Sequence, residues 1–260
     1  MRLHRFRLAR IIFLAIMGGM VLLSLAFTMT DEDRAMFQLA NQAYRSGDYQ
    51  EASKQYQELL SQHPDDATLL YNLGNAEFRN EKMGKAILNY ERALLVSPRH
   101  SDARHNLDYA RSLIEYRIED KRNWYLRNGE KVLEYFSERE VMVVTLLAYF
   151  ILMVWLSGVL FYHKGLTWDW RIKAFVVLFC LSAMLFVGKH VETRVIRDAI
   201  VTSKSANVRY GPSESDQVAF RLTEGLKVYV IDRRDDWSRI ILVNGESGWV
   251  QNTDITKVMA

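Results

Sequence analysis

The chain has 260 residues, 25% of them charged and 49% hydrophobic, a formal net charge of +3 and a single cysteine. That length allows two or three small modules. One cysteine excludes a disulfide framework within the chain, and so small a charge excess, gathered near apolar stretches, excludes a nucleic-acid footprint. The cysteine, Cys180, lies inside an apolar stretch and reads as a buried small hydrophobe.

The N-terminus opens with Arg2, Arg5, Arg7 and Arg10, then runs apolar from Ile11 to Phe27 before the acidic Asp31, Glu32 and Asp33. Residues 1–27 therefore read as a secretory signal, with Ser24-Leu25-Ala26 as a cleavage site, or as an uncleaved membrane anchor. Either way the basic end stays in the cytoplasm and the following residues go out.

From residue 32 to 113 the sequence repeats at an offset of 34. Ala40-Asn41 matches Gly74-Asn75, Ala52 matches Ala86, Tyr56 matches Tyr90, Leu60 matches Leu94 and Pro64 matches Pro98. The small residues let paired helices approach, the tyrosines fill volume beside them, and the prolines stop each second helix. The pattern predicts helices over 32–46, 49–62, 67–79 and 83–95, then a capping helix from Ser101 that covers the last apolar face. A period of 34 with these residues resembles the tetratricopeptide repeat family. The second copy departs at its turn, where Glu81 and Met83 stand in place of glycine and tyrosine. The resemblance implies a superhelix that binds a protein or peptide in its concave face. It places Asn41, Tyr44, Asn75 and Arg79 on the first helices, and Asn106 on the cap, as groove residues. Packing or helix-turn roles are the alternative for Tyr44 and the asparagines.

Residues 114–140 are charged, with Leu126, Leu133 and Phe136 on one helical stripe and Gly129 and Val132 beside it. They read as a charged connecting helix that extends the repeats, lies in a membrane interface, or is solvated. Two apolar stretches follow within 141–188. Val141–Tyr162 carries no charge, and a second run extends from about Leu166 to Val187. The loop 163–173 between them holds Lys164, Arg171 and Lys173 against Asp169. Runs near 20 residues can cross a bilayer. The expectation is a transmembrane helical hairpin with a cytoplasmic loop, which puts both soluble modules on the periplasmic side of a bacterial inner membrane.

Residues 195–260 change to strand character. Alternation over 225–231 and 237–243, a turn at Asn244-Gly245 and a closing Gly248-Trp249-Val250 predict a small barrel of five short strands. Asn207-Val208-Arg209 with Gly211-Pro212, Gly225, Asp236-Trp237 and Asn244 through Val250 resemble the bacterial SH3 family in order. That family is commonly extracytoplasmic and binds cell-wall or peptide ligands. The resemblance makes Tyr210, Trp237 and Trp249 the candidate groove aromatics. A core role is the alternative for Trp249, and fixing local backbone for Asn207 and Arg209.

The fold class expected is thus a multi-domain membrane protein with an all-α repeat superhelix, a transmembrane hairpin and an all-β SH3-like barrel. The module order resembles the BatE components of the Bacteroides aerotolerance (Bat) system. That resemblance implies von Willebrand factor A domain membrane proteins and a MoxR-like ATPase as partners, and a part in oxidative-stress tolerance. No cofactor is expected and no catalytic constellation is present. His63, His100 and His105 lack metal-ligand spacing, and no glycine-rich phosphate loop occurs. The reading is a non-enzymatic interaction scaffold. Its rivals are a cell-wall-binding accessory that recognises peptidoglycan, and a transmembrane sensor.

Overall fold

The structure, a computed structural model, describes residues 30–114, 129, 134–161, 170–194 and 197–259. The signal or anchor, most of the charged connector and most of the loop 163–173 lie outside the described residues.

Five helices make the repeats: α1 (Asp31–Ser46), α2 (Tyr49–Gln62), α3 (Ala67–Arg79), α4 (Met83–Val96) and α5 (Ser101–Ser112). Their starts are written locally. Thr30 and Asp33 form a capping box on α1, Asp48 accepts from the Glu51 amide on α2, and Asp66 accepts from the Thr68 and Leu69 amides on α3. His100 caps α5 through the Ala103 amide. Gly47, at φ +87°, ends α1 in the left-handed conformation that glycine adopts without strain. Inside, Ala40, Ala52, Ala76 and Ala86 are fully buried, and Tyr56 and Tyr90 are nearly so. Each buried large apolar side chain, such as Leu59, Leu69 or Ile87, contributes about 1.5–3 kcal/mol relative to exposure. Gly74 is glycine because Tyr90 lies against it: a Cβ there would sit 2.6 Å from Tyr90 Cε1.

Two long apolar helices follow, α6 (Glu138–Phe161) and α7 (Trp170–Arg194). They pack antiparallel. Thr145 Oγ1 donates to the Ser182 carbonyl at 3.1 Å, and the Tyr149 and Phe179 rings lie 6.1 Å apart. The expected two-crossing hairpin is corrected here. Among the described residues one helix is long and apolar enough to cross a membrane, over Lys173–Val191, and its 19 residues span about 28 Å. Val177, Leu181, Met184 and Val187 of α7 are exposed, as a lipid-facing surface would be. Cys180 is also exposed on this helix rather than buried.

The C-terminal module has seven strands, not five: β1 (Arg197–Val201), β2 (Ser205–Arg209), β3 (Val218–Thr223), β4 (Lys227–Arg234), β5 (Trp237–Ile241), β6 (Ser247–Gln251) and β7 (Ile255–Lys257). They form one sheet in the order β3-β2-β6-β5-β4-β1-β7. The expected barrel is corrected as well. The terminal strands β3 and β7 do not pair with each other, so the sheet stays open. Its core gathers Ala199, Val201, Val208, Leu222, Val228, Ile240 and Val250 on one face. Cross-strand pairing with β3 makes Ser205–Arg209 a strand.

The two modules touch. Ile200 and Val258 of the sheet share a buried cluster with Ala86, Ile87, Leu88, Tyr90, Leu107 and Ala110 of the repeats.

Candidate functional site

The repeats place a polar seam where first and second helices meet. Tyr56 donates to Asn41 Oδ1 at 2.7 Å, and Tyr90, 34 residues on, donates to Asn75 Oδ1 at 2.8 Å. Burial pushes the Tyr56 phenol up to about 12 and the Tyr90 phenol higher still. Both hydroxyls therefore stay protonated donors. Asn106 Nδ2 donates to Asn75 Oδ1 at 2.8 Å and lies 3.4 Å from the Tyr71 hydroxyl, which ties α5 to α3. The three asparagines are thus engaged within the repeats, each only partly buried.

Arg79 and Tyr44 come together at the junction of the two repeats. The Arg79 guanidinium lies 4.5 Å over the Tyr49 ring, and Tyr44 meets Tyr49 edge-on at 5.3 Å. Burial raises the Tyr44 phenol despite the opposing charge of Arg79. Further along, Tyr71 packs 4.9 Å from His100, and Phe78 lies 5.8 Å from the exposed Tyr109. Tyr49, Tyr71 and Tyr109 extend this aromatic row beyond the residues the sequence singled out. What arrangement results is a row of rings with one exposed cation, suited to holding an extended peptide by ring contacts and hydrogen bonds.

In the sheet, register decides which aromatics share a face. Trp249 lies opposite both Arg209 and Arg239, and Trp237 opposite Gln251 and Arg234. Residues two apart on a strand face the same way, so Trp237 and Trp249 share the face that points away from the core. Trp249 is nonetheless only 7% exposed, because the Arg234 guanidinium covers its ring at 5.1 Å. Trp237 is partly buried and Tyr210, just past β2, is 70% exposed. Arg209 donates to the Asp216 carbonyl at 2.6 Å and so holds the loop after Tyr210. Sequence patterning missed Arg234 and Arg239 beside the tryptophans, since only cross-strand register brings them there.

Among the described residues no group of three His, Cys, Asp or Glu side chains could hold a metal ion. His63 instead meets Asp33 at 3.1 Å and ties the first repeat's N-cap to the end of α2. The two modules are of classes whose work is binding. A tetratricopeptide repeat model matches residues 37–111, and a bacterial SH3 domain model matches residues 202–257. Both domains are present in this chain. The chain is also 31% identical over 87 residues to YrvJ of Bacillus subtilis (strain 168), a protein provisionally named an N-acetylmuramoyl-L-alanine amidase. That match covers 33% of this chain and 17% of the amidase's length.

Proposed function

We propose that this protein is a non-enzymatic, membrane-anchored interaction scaffold of the bacterial envelope. The observation that carries the reading is the joining of two binding modules in one body beside an exposed apolar helix. The repeats take a protein or peptide segment along Tyr44, Arg79 and the row that continues through Tyr71 to Tyr109, with Asn41, Asn75 and Asn106 setting the helices that present it. The SH3 domain takes a second ligand over Tyr210, Trp237 and Trp249. The repeats face the periplasm in this reading, supported by the basic residues before the first apolar run and the acidic ones after it. The order of repeats, apolar helices and SH3 domain supports a place beside von Willebrand factor A domain proteins and a MoxR-like ATPase in a Bat-type oxidative-stress system.

A photo-crosslinking residue at position 79 of the full chain in its own membrane tests the repeat surface. The expected result is a crosslinked membrane or envelope protein that disappears with Tyr44→Ala and is not seen from the exposed back position Lys54. Equal crosslinking from 79 and 54 would sink the reading. A second reading, a cell-wall-binding accessory, is favoured by the name of the amidase relative. Sedimentation with purified peptidoglycan separates the two: binding lost in Trp237→Ala supports the wall reading, and no binding by the parent chain removes it.

A further inference from the structure

The surface that the sequence leaves unassigned is the side of α4 and the end of α5 that meets the SH3 domain. Four independent features converge there. The helix α4 has no side-chain cap of its own, since Lys82 supplies none. Glu224, in the turn between β3 and β4, accepts from the Gly84 amide at 2.7 Å and so serves as the missing cap from 140 residues away. The backbones also approach too closely for side chains. A Cβ on Gly84 would lie 2.4 Å from the Val201 carbonyl oxygen, and one on Gly225 would lie 2.8 Å from both Ile87 and Ile114. Arg92 of α4 donates to the carbonyls of Lys257 and Val258, each at 2.8 Å. Those carbonyls lie at the end of the edge strand β7 and just past it, so the repeats cover part of an edge that the open sheet leaves exposed. Finally, Lys227 pairs with Asp198 at 2.6 Å beside Glu91 of α4, which Arg111 also contacts. Burial works against both charges, yet the surrounding opposite charges hold the Lys227 ammonium above its usual range and the Glu91 carboxyl below.

We propose that the SH3 domain is the repeats' own permanent partner, docked in cis on α4 and α5, and that the two modules are one cooperative unit. The dock occupies β1, β7 and the β3–β4 turn, which leaves the face with Trp237 and Trp249 for ligands. The other end of the repeats is held too. Arg139 of α6 meets Asp65 at 2.6 Å, and Glu140 pairs with Arg99, so both inter-repeat turns touch the first turn of α6. With α7 ending at Arg194 and β1 starting at Arg197, the contacts close a ring from repeats to helices to sheet and back. A scaffold built this way presents its partner at a set height above the membrane instead of on a tether.

Hydrogen exchange on the full chain in detergent tests the dock. Arg92→Ala removes only the bonds to the β7 carbonyls, and Glu224→Ala only the foreign cap. The expected result is at least tenfold faster exchange in β1 and β7 with Arg92→Ala, and in both the first turn of α4 and the sheet with Glu224→Ala, while helix content is unchanged. Exchange within twofold of the parent in both variants would overturn the proposal. So would protection of β7 that falls on dilution together with a dimeric mass, because the dock would then lie between two copies.

Discussion

The two repeats differ at one turn, and that difference explains how the molecule holds together. In the first, Gly47 takes φ +87° and Asp48 caps the next helix from its own side chain. The residues 34 positions on are Glu81 and Lys82. Glu81 is held at φ +60°, a conformation that costs a residue with a Cβ about 1–2 kcal/mol, and Lys82 offers no cap. The second turn compensates with contacts from elsewhere. The Lys82 ammonium lies 3.4 Å from the buried Glu77, which Ser53 also meets at 2.8 Å, and Glu224 arrives from the SH3 domain. The first repeat is locally encoded; the second is completed by tertiary structure.

The largest test of that contrast is Gly84→Ala. Helix propensity alone predicts a gain of about 0.5–1 kcal/mol. The approach of the Val201 carbonyl predicts instead a loss of about 1–3 kcal/mol from overpacking. Guanidinium denaturation of the full chain decides by sign. The equivalent position in the first repeat, Gln50, is exposed, and Gln50→Ala is expected to stay within about 0.5 kcal/mol.

Capping gives the next effect. Asp48→Ala and Glu224→Ala should each cost about 1 kcal/mol. The first should loosen only α2, whereas the second should loosen α4 and the sheet together. Equal, purely local responses in amide exchange would erase the contrast. Glu81→Gly should run the other way, stabilising by about 1 kcal/mol through relief of the left-handed strain, a shift readable in the denaturation midpoint.

The smallest effect concerns pH at the start of the first repeat. The Asp33 carboxyl is held below its usual range by Thr30, with His63 adding to it. Its folded pKa is below the unfolded value of about 3.9, so its contribution is complete above that value and is lost as pH falls through the folded one. Protection of the first turn of α1 should therefore fade only in that acidic window. Asp33→Asn should flatten the dependence, and fading that begins near neutrality would count against this account.

The sequence by itself determined the parts that depend on near neighbours. The offset of 34, the caps at Thr30, Asp48 and Asp66 and the prolines at 64 and 98 place α1 to α5, because a helix answers to residues within a turn or two. Motif order also marked the SH3 domain, and the alternating runs marked β4 to β6. Other features depended on distant partners. The strands β2, β3 and β7 exist through pairing, and whether the sheet closes depends on what its edge strands meet. The hydroxyls that Asn41 and Asn75 receive lie 15 residues away on another helix, and Arg234 reaches Trp249 only through cross-strand register. Two apolar runs of similar length looked alike in sequence, while the structure supplies one described crossing. Above all, the cap on α4 comes from residue 224. No local pattern encodes a bond whose donor and acceptor are 140 residues apart, and only the packed core brings them within 2.7 Å.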